Sequence, residues 1–298
     1  MTDTQPVLVV GGTGHVGGKV VDELLARGKA VRALVRPGSD AGKLEAKGVE
    51  IARGDMLDLD SLIEAMTGAD AAITSAAGYT RRDKRALEID TVGNTNLAIA
   101  ASHTGIRRFV LVSILTSDQT PDVPHFWQKK LTEDKLEALR VPFVALRPGA
   151  FLDQVTRMGG DPFEKKRLTW FGTKTVPLTF VLTSDLAAYL AAAVDADVAD
   201  NERIDIGWDR PVSMQDIADI ASTIAGEEIS VRSVPAGFVS ALGTVVGPFV
   251  PMVKDMSSML AWFETGKYVA DTTRQAQVFG PVPTAEDAIA RFARELGH

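Results

Sequence analysis

The sequence predicts an α/β fold built on a doubly wound parallel sheet, with a smaller C-terminal α/β lobe. In the first half of the chain, short apolar runs alternate with segments of helical periodicity, as in parallel sheets joined by helical crossovers. The first apolar run ends in a glycine-rich turn, and the alternation weakens after Gly149. A chain of 298 residues has room for one large domain with an additional lobe.

Six strands are expected in the first half. Each is an apolar run bounded by glycine, proline or polar residues, which is typical of strands buried on both faces. They are Val7–Val10, Ala30–Val35, Val49–Ala52, Ala69–Thr74, Arg108–Ser113 and Val141–Leu146. Helices are predicted between them, among them one from the cap Asp58 to Met66, one that ends at Gly105 and one near His125–Leu139. Right-handed crossovers then place a ligand crevice at the carboxyl ends of the strands.

The C-terminal part contains two clear helices. Ser184–Val194 begins with a serine that can cap it, and Ser213–Ala225 combines a serine cap with Asp216 in the capping-box position. We expect a first domain over residues 1–150 and a smaller substrate-binding lobe over residues 151–298 that is interleaved with the first domain rather than independent.

Composition excludes several kinds of chemistry. The 32 Lys and Arg against 39 Asp and Glu give a net charge of −7, so the basic surface that binds nucleic acid is not expected. There is no Cys, which excludes disulfides, thiol nucleophiles and cysteine metal sites. The four His do not form a metal-binding pair by spacing. We therefore predict no metal site and no nucleic-acid partner.

An uncharged stretch, Val234–Val253, has the length of a membrane span. It contains Pro235, Pro248 and Pro251, which break the backbone hydrogen bonding that a lipid-exposed helix needs. A buried or cleft-lining part of the smaller lobe is the preferred interpretation. The N-terminus shows no secretory signal, and a cytoplasmic location is expected.

The turn after the first strand has the pattern of a dinucleotide phosphate loop. It contains GxGxxG between a predicted strand and a predicted helix, which is the context that gives this motif meaning. Glycines allow the tight turn and a close approach of backbone N–H groups to a pyrophosphate at the helix N-terminus. The residues predicted to bind cofactor here are Gly11, Thr13, Gly14, His15, Val16 and Gly17.

The end of the second strand favours NADP(H) over NAD(H). No acidic residue stands there to accept a ribose hydroxyl; Arg36 follows Gly17 by 19 residues, with Ser39 close behind. An arginine can pair with a 2′-phosphate through two charge-assisted hydrogen bonds. The alternative is that Arg36 is a solvated strand end. Asp55 and Met56, after the third strand, are placed near the adenine, although Asp55 can also cap the next helix.

The chain resembles the NmrA-like branch of the atypical short-chain dehydrogenase/reductase superfamily. The resemblance rests on VLVVGGTGHVGGKVV, VRALVRPGSD, GVEIARGDMLD, DTVGNTNLAIAA, GIRRFVLVSIL and VPFVALRPGAFLDQV, and extends over nearly the whole chain. It implies a Rossmann domain that binds NAD(P) and a smaller substrate lobe.

The resemblance also frames the catalytic question. Typical members of the superfamily use Tyr-x-x-x-Lys, in which Lys holds the nicotinamide ribose and Tyr moves a proton. Here Lys129 takes the Lys position and His125 the Tyr position, and no Tyr is followed by Lys at the required spacing. His125 can donate a proton, or it can cap the helix or shape a pocket. Ser113, at the end of the fifth predicted strand, is the third candidate.

Further residues are placed in the crevice by topology. Ser75 and Ala76 follow the fourth strand, and Pro148 and Phe151 follow the sixth, so these four are predicted to flank the cofactor. An apolar substrate wall is predicted from Trp127, Phe151 and Met158.

The resulting functional expectation is an NADPH-dependent oxidoreductase that passes hydride to a small carbonyl, quinone or similar electron-poor acceptor. A non-catalytic NADP(H) sensor is the alternative, because the usual Tyr is absent. An epimerase-like enzyme is ranked third, since it depends on that Tyr even more. The expected partner is a small molecule, and the expected state is a monomer or homodimer.

Overall fold

A seven-stranded sheet is the largest element of the computed structural model, which describes residues 5–78, 86–235 and 251–298. The strands are β1 (Val7–Val10), β2 (Val31–Val35), β3 (Glu50–Arg53), β4 (Ala71–Thr74), β5 (Arg108–Val112), β6 (Phe143–Pro148), β7 (Ala150–Phe151), β8 (Arg167–Phe171), β9 (Phe180–Val181), β10 (Glu202–Ile206) and β11 (Ser230–Val234). The sheet has the order β10-β6-β5-β4-β1-β2-β3. The pairings from β6 to β3 are all parallel.

Helices connect these strands. They are α1 (His15–Ala26), α2 (Gly42–Glu45), α3 (Leu59–Met66), α4 (Ala86–Glu88), α5 (Asn94–Thr104), α6 (Pro124–Ala138), α7 (Leu152–Gly159), α8 (Pro162–Lys165), α9 (Thr183–Ala193), α10 (Met214–Ala225), α11 (Pro251–Phe263), α12 (Thr273–Phe279) and α13 (Ala285–Glu295). The strand order reverses between β1 and β4, which defines the switch point where open α/β sheets bind ligands. The predicted α/β class with a doubly wound parallel sheet is confirmed.

The chain divides into two compact units. The first comprises Met1–Ser113, Gln128–Leu146 and Ser184–Ile204. Its core is formed by the apolar strands and the helices that cover them, with Leu8, Leu97 and Phe143 fully buried. Strands this apolar on both faces need a helical layer on each side, which explains the nearly continuous hydrophobic runs in the sequence.

The second unit comprises Ile114–Trp127, Arg147–Thr183 and Asp205–His298. It contains two small parallel pairs, β8 with β11 and β7 with β9. Its core is more aromatic, and Phe180 stacks on Trp208 with ring centroids 6.0 Å apart. The two units are interleaved in sequence, because each draws on three separate segments.

Local sequence signals placed most elements well. All six predicted strands are present, and their ends differ from the predicted ones by at most two residues. Asp58 caps α3 by accepting the N–H of Ser61. Ser213 and Asp216 form a capping box at the start of α10. The helix predicted to end at Gly105 does so, and Gly105 adopts φ +63°.

The predicted cap of the helix at Ser184 is wrong. Helix α9 begins one residue earlier, at Thr183, so Ser184 lies inside it. The carboxylate of Asp153 accepts the backbone N–H of Thr183 at 3.2 Å and also its hydroxyl. The helix end is therefore anchored by a residue of α7, which the local sequence does not reveal.

The uncharged stretch considered as a membrane span lies mostly at residues 236–250, outside the described residues. Within the described chain, none of the helices combines the length and the apolar character that crossing a bilayer requires.

Candidate functional site

The glycine-rich turn between β1 and α1 is closed by its own backbone. The N–H of Gly14 donates to the carbonyl of Gly11 at 2.8 Å, and the N–H of Gly18 donates to that of Gly14 at 2.8 Å. Gly11 has φ +93°, a conformation that favours glycine. A Cβ at Gly17 would lie 2.1 Å from the carbonyl oxygen of Gly11. Only glycine at this position lets α1 begin so close to β1.

The start of α1 presents N–H donors with no competing carboxylate. Its N-cap is Gly14, which has no side chain to accept the first amides, and its first turn contains no acidic residue. The first amides of a helix have no partner inside the helix, and together with the helix dipole they attract an anion. Thr13 and His15 are exposed beside this turn, and Val16 is half-buried.

The residues that directly follow β4 lie beside the glycine-rich turn. The backbone N–H of Ser75 donates to the carbonyl of Val10 at 3.0 Å. A Cβ added at Gly11 would lie 2.9 Å from Oγ of Ser75. The structure therefore brings the predicted residues Ser75 and Ala76 directly beside the glycine turn.

A second predicted region follows β2. Arg36 begins a four-residue turn that ends at Ser39, whose N–H donates to the carbonyl of Arg36 at 3.0 Å. The Arg36 side chain is exposed, as binding a phosphate requires. Nη1 of Arg53, at the end of β3, donates to the carbonyl of Ser39 at 2.7 Å. Sequence reasoning missed Arg53, although it directly follows the neighbouring predicted strand, Val49–Ala52.

Asp55 and Met56 lie just beyond β3. A carboxylate oxygen of Asp55 accepts the N–H of Leu57 at 3.0 Å, and the cap of α3 is Asp58, so Asp55 does not perform that role. Met56 is buried. Its carbonyl accepts the side-chain amide of Asn96 at 3.0 Å.

Lys129 is a buried amine for which the described residues supply one hydrogen-bond acceptor. Its side chain lies on α6, and its Nζ donates to the carbonyl of Ala76 at 3.3 Å. Burial lowers the pKa of Lys129, and the nearby carboxylates of Asp90 and Glu133 act in the opposite direction. An ammonium has three N–H donors, so this buried group retains donors for further acceptors such as ribose hydroxyls.

Asp90 belongs to a local distortion that sequence reasoning missed. Residues Ile89–Gly93 form a π-helical turn between α4 and α5. Asp90 accepts the N–H of Gly78 at 2.7 Å, which fixes the chain just after Ala76. π-helical turns inside longer helices are frequent at functional sites. Here the turn places a buried carboxylate near the Lys129 amine.

The third predicted catalytic residue, Ser113, is fully buried. Its hydroxyl donates to Oε1 of Glu133 at 2.5 Å. The other oxygen of Glu133 accepts Nε of Arg203 at 2.8 Å, and Arg203 also contacts Glu137 at 2.7 Å. Ser113 is therefore part of a buried polar network of the first unit. Arg203 was not identified from the sequence, since it lies 70 residues from Glu133.

His125 has an acidic partner. Its Nδ1 lies 2.8 Å from Oδ1 of Asp255, which is on α11. The side chains are 12% and 10% exposed. An acid on one imidazole nitrogen fixes the ring orientation and the tautomer. Nothing near His125 in sequence indicated Asp255, which follows 130 residues later.

Tyr268 is one of three tyrosines in the chain and is fully enclosed. Its hydroxyl donates to the carbonyl of Pro148 at 3.3 Å. Burial raises the pKa of Tyr268, and the buried hydroxyl binds the last residue of β6 rather than offering a proton. Of the predicted substrate wall, Trp127 and Phe151 are half-buried, while the side chain of Met158 lies outside the described residues.

The predicted residues fall into both units. Those of the first unit are the glycine turn, Arg36, Ser39, Asp55, Met56, Ser75, Ala76, Ser113 and Lys129. Those of the second unit are His125, Trp127, Pro148, Phe151 and Met158. Among the described residues, no group of three or more His, Cys, Asp or Glu is arranged to hold a metal ion.

Comparison with known proteins shows the family to which the chain belongs. The profile of the NmrA-like family matches residues 3–295. The chain belongs to the NmrA-like family. The resemblance seen in the sequence motifs is confirmed.

Relatives of this NmrA-like protein differ in their named roles. The photosystem II assembly factor Ycf39 of Synechocystis sp. is 25% identical over 97% of this chain and 90% of its own length. Sterol demethylase protein B of Methylococcus capsulatus is 38% identical, over 36% of this chain and 33% of its own length.

Solved structures share the fold at low identity. The triphenylmethane reductase of Citrobacter sp., complexed with NADP(H), has a TM-score of 0.78 and 18% identity, over 96% of this chain and 99% of that chain. The NADPH-dependent quinone oxidoreductase QOR2 of Escherichia coli, complexed with NADPH, has a TM-score of 0.76 and 18% identity, with the same coverage. The NmrA-like protein therefore has the fold of NADP(H)-binding reductases.

The residues of the first unit fit such a cofactor. The α1 N-terminus offers backbone donors without a side-chain cap or an acid, which suits a pyrophosphate. Arg36 is an exposed guanidinium at the end of β2, which suits a 2′-phosphate. The buried Lys129 amine at Ala76 retains donors for hydroxyl groups. Such a cofactor, when bound, would be able to supply hydride.

Proposed function

We propose that the chain is an NADPH-dependent oxidoreductase that reduces a small carbonyl, quinone or similar electron-poor acceptor. The observation that carries the proposal is the buried Lys129 amine at the Ala76 carbonyl, in the same unit as the uncapped α1 N-terminus. A helix N-terminus alone indicates only an anion. A desolvated amine with spare donors adds a group that can hold and orient a polar ligand.

The chain's own residues divide the work in this proposal. The amides at the start of α1 bind the pyrophosphate, and Arg36 binds the 2′-phosphate, which gives the preference for NADP(H) over NAD(H). Lys129 holds the ribose. His125, oriented by Asp255, supplies the proton to the reduced acceptor. An acceptor that is already electron-poor needs little acid catalysis, so the absence of the usual Tyr is compatible with turnover.

The test is an acceptor screen with the purified chain. We expect oxidation of NADPH with at least one member of a panel of quinones, triphenylmethane dyes and carbonyl compounds. Lys129→Ala should abolish this oxidation, whereas Lys130→Ala should not, because Lys130 is paired with Asp134 elsewhere on the helix. Tight NADPH binding without oxidation across the whole panel would contradict the proposal.

A second candidate is a non-catalytic NADP(H)-binding protein that acts on a protein assembly. Relatives that cover most of this chain are named photosystem II assembly factors, and the hydroxyl of Ser113 is bonded to Glu133 at the position that the resemblance makes catalytic. Differential affinity of the cofactor for two conformations would be its mode of action. Cofactor binding that changes proteolytic protection without any turnover would support this candidate over the first.

A further inference from the structure

The turn that carries Arg36 has a defined conformation. Pro37 and Gly38 occupy its central positions, and Gly38 has φ +77°. With the hydrogen bond from Ser39 to Arg36, this is the arrangement of a type II turn, which prefers proline followed by glycine. The turn therefore fixes the backbone from which the Arg36 and Ser39 side chains project.

A second arginine ties this turn to the sheet. Nη1 of Arg53 donates to the carbonyl of Ser39 at 2.7 Å and to that of Arg36 at 3.3 Å. Arg53 is the last residue of β3 and lies opposite Val35 of β2 in the parallel register. Both ends of the turn are thus held by one nitrogen of one side chain.

The rest of the Arg53 guanidinium is available. Two N–H groups of Nη1 serve the two carbonyls, and a guanidinium has five N–H donors in all. In the part of the chain that the structure describes, Nε and Nη2 of Arg53 make no hydrogen bond or ion pair, and the side chain is exposed. Three donors and a full positive charge remain beside the turn.

The charges around the turn favour an anion. Arg36 and Lys43 are exposed cations close in sequence to the turn. The nearest acid in the sequence, Asp40, has a carboxylate oxygen engaged by the N–H of Gly42 at 2.9 Å. A dianionic phosphate group matches two guanidinium groups and a hydroxyl better than a neutral ribose hydroxyl does.

We propose that Arg53 is a specificity-determining residue for the 2′-phosphate of NADPH. It positions the turn that carries Arg36 and Ser39, and it contributes a second guanidinium to the same phosphate. This inference rests on the cofactor preference within the proposed function. It does not require that the chain turn over any acceptor.

The experiment measures ligand binding by calorimetry to the full chain and to Arg53 variants. The probes are NADPH and 2′,5′-ADP, which carry the phosphate, and NADH and 5′-ADP, which do not. Since a hydrogen bond to a charged group contributes more than one between neutral groups, Arg53→Ala should weaken the binding of both phosphate-bearing probes by about tenfold or more. The two other probes should change by less than about twofold.

Two further variants separate charge from positioning. Arg53→Lys keeps the charge, but an ammonium that serves both carbonyls has only one N–H left for a phosphate; Arg53→Gln keeps one donor group without the charge. We expect both to lose affinity for 2′,5′-ADP, and Arg53→Gln to lose more. Arg294→Ala removes an exposed charge in the last turn of α13, and should leave all four affinities unchanged.

The outcomes distinguish this inference from the proposed function. Equal weakening of all four probes by Arg53→Ala would overturn the inference, as would unchanged binding. A wild-type chain that does not prefer 2′,5′-ADP over 5′-ADP would overturn it together with the NADP(H) preference. Selective loss in Arg53→Ala with no turnover of any acceptor would support the inference and contradict only the oxidoreductase proposal.

Discussion

The glycine turn and the surroundings of His125 are built in contrasting ways. The turn is held by backbone hydrogen bonds between residues at most four apart, such as Gly14 to Gly11. His125 is held by Asp255, 130 residues away. A site formed by local backbone geometry accepts few residue types at each position, and this makes it recognisable from the sequence. A site made of distant side chains can change its chemistry by single substitutions.

Because the two regions are built differently, cofactor affinity and turnover can be measured as separate effects. The first unit contains the groups proposed to bind the cofactor, and its substitutions should change affinity. The second unit contains the His125–Asp255 pair, and its substitutions should change turnover while cofactor affinity stays the same. The predictions below test whether the two effects are separable, from the largest expected effect to the smallest.

The largest effect on NADPH affinity is expected for Gly17→Ala. The new Cβ would lie 2.1 Å from the carbonyl oxygen of Gly11, so the turn must move. Overpacking typically costs roughly 1–3 kcal/mol, and we expect NADPH affinity to fall by up to about a hundredfold. Calorimetry measures the affinity, and thermal unfolding in the same buffer checks that the variant is folded.

Gly12→Ala is the matched control for that variant. A Cβ at Gly12 would meet its nearest neighbour, the Cβ of Ala33, at an ordinary 3.5 Å. We expect near-normal NADPH binding. If both variants lose affinity equally, close backbone approach at Gly17 is not what shapes the site.

Arg36→Ala should have the next largest effect. It removes a charge-assisted fork, and we expect NADPH affinity to fall by about ten- to a hundredfold. NADH affinity should change by less than about twofold, because NADH has no 2′-phosphate. A loss of the same size for both dinucleotides, measured by calorimetry, would show that Arg36 supports the turn and does not read the phosphate.

The same contrast explains what could be predicted from sequence. The glycine turn, the Asp58 cap and the Ser213 capping box are specified by residues within one turn of chain, and each is present. Arg53 is an intermediate case between these local features and the long-range contacts. It is the last residue of β3, which pairs with β2 in parallel. Because parallel strands end at the same edge of a sheet, its position near Arg36 could have been inferred from the sequence.

The remaining contacts depend on the tertiary fold. Arg203 reaches Glu133 because β10 lies at the sheet edge beside β6, a position that alternation of strands and helices does not give. Asp255 follows an uncharged stretch rich in proline and glycine, with no periodicity to orient it. Thr183 replaced Ser184 at the start of α9 because Asp153 accepts its N–H. Sequence patterns describe neighbours along the chain, and these contacts join residues far apart in it.

Asp255→Asn should lower turnover without changing cofactor affinity. Proton transfer by a positioned side chain contributes about a hundredfold or more to catalysis; losing only the partner that orients His125 should lower kcat by about tenfold. The KM for NADPH should stay within about twofold of the wild-type value. Steady-state kinetics with an acceptor found in the screen provide both numbers.

Two controls make the Asp255 result specific. Asp122→Asn removes an exposed carboxylate three residues before His125 and should leave kcat unchanged. In a His125→Gln background, Asp255→Asn should cause no further loss, since coupled residues are not additive. A further tenfold loss in that background would mean that Asp255 acts independently of His125.

The smallest effect concerns Lys129 and pH in the absence of cofactor. Burial lowers the pKa of Lys129 from its ordinary value of 10.5. Between the lowered value and 10.5, the unfolded chain binds more protons at this position than the folded chain does. The free energy of unfolding should therefore rise with pH in that window, with a slope of at most about 1.4 kcal/mol per pH unit. Below the window the cost of burying the charge is present in full.

Lys129→Met removes this contribution. The comparison is therefore between the pH dependence of the free energy of unfolding in the wild type and in Lys129→Met. Across the alkaline window, denaturant unfolding should show the wild-type free energy rising relative to that of Lys129→Met. Lys130→Met should follow the wild type, because that side chain is 29% exposed and pairs with Asp134 on the surface. Parallel curves for the wild type and Lys129→Met would mean that the amine is solvated. The first unit would then lack the desolvated amine on which the proposal that it binds the cofactor depends.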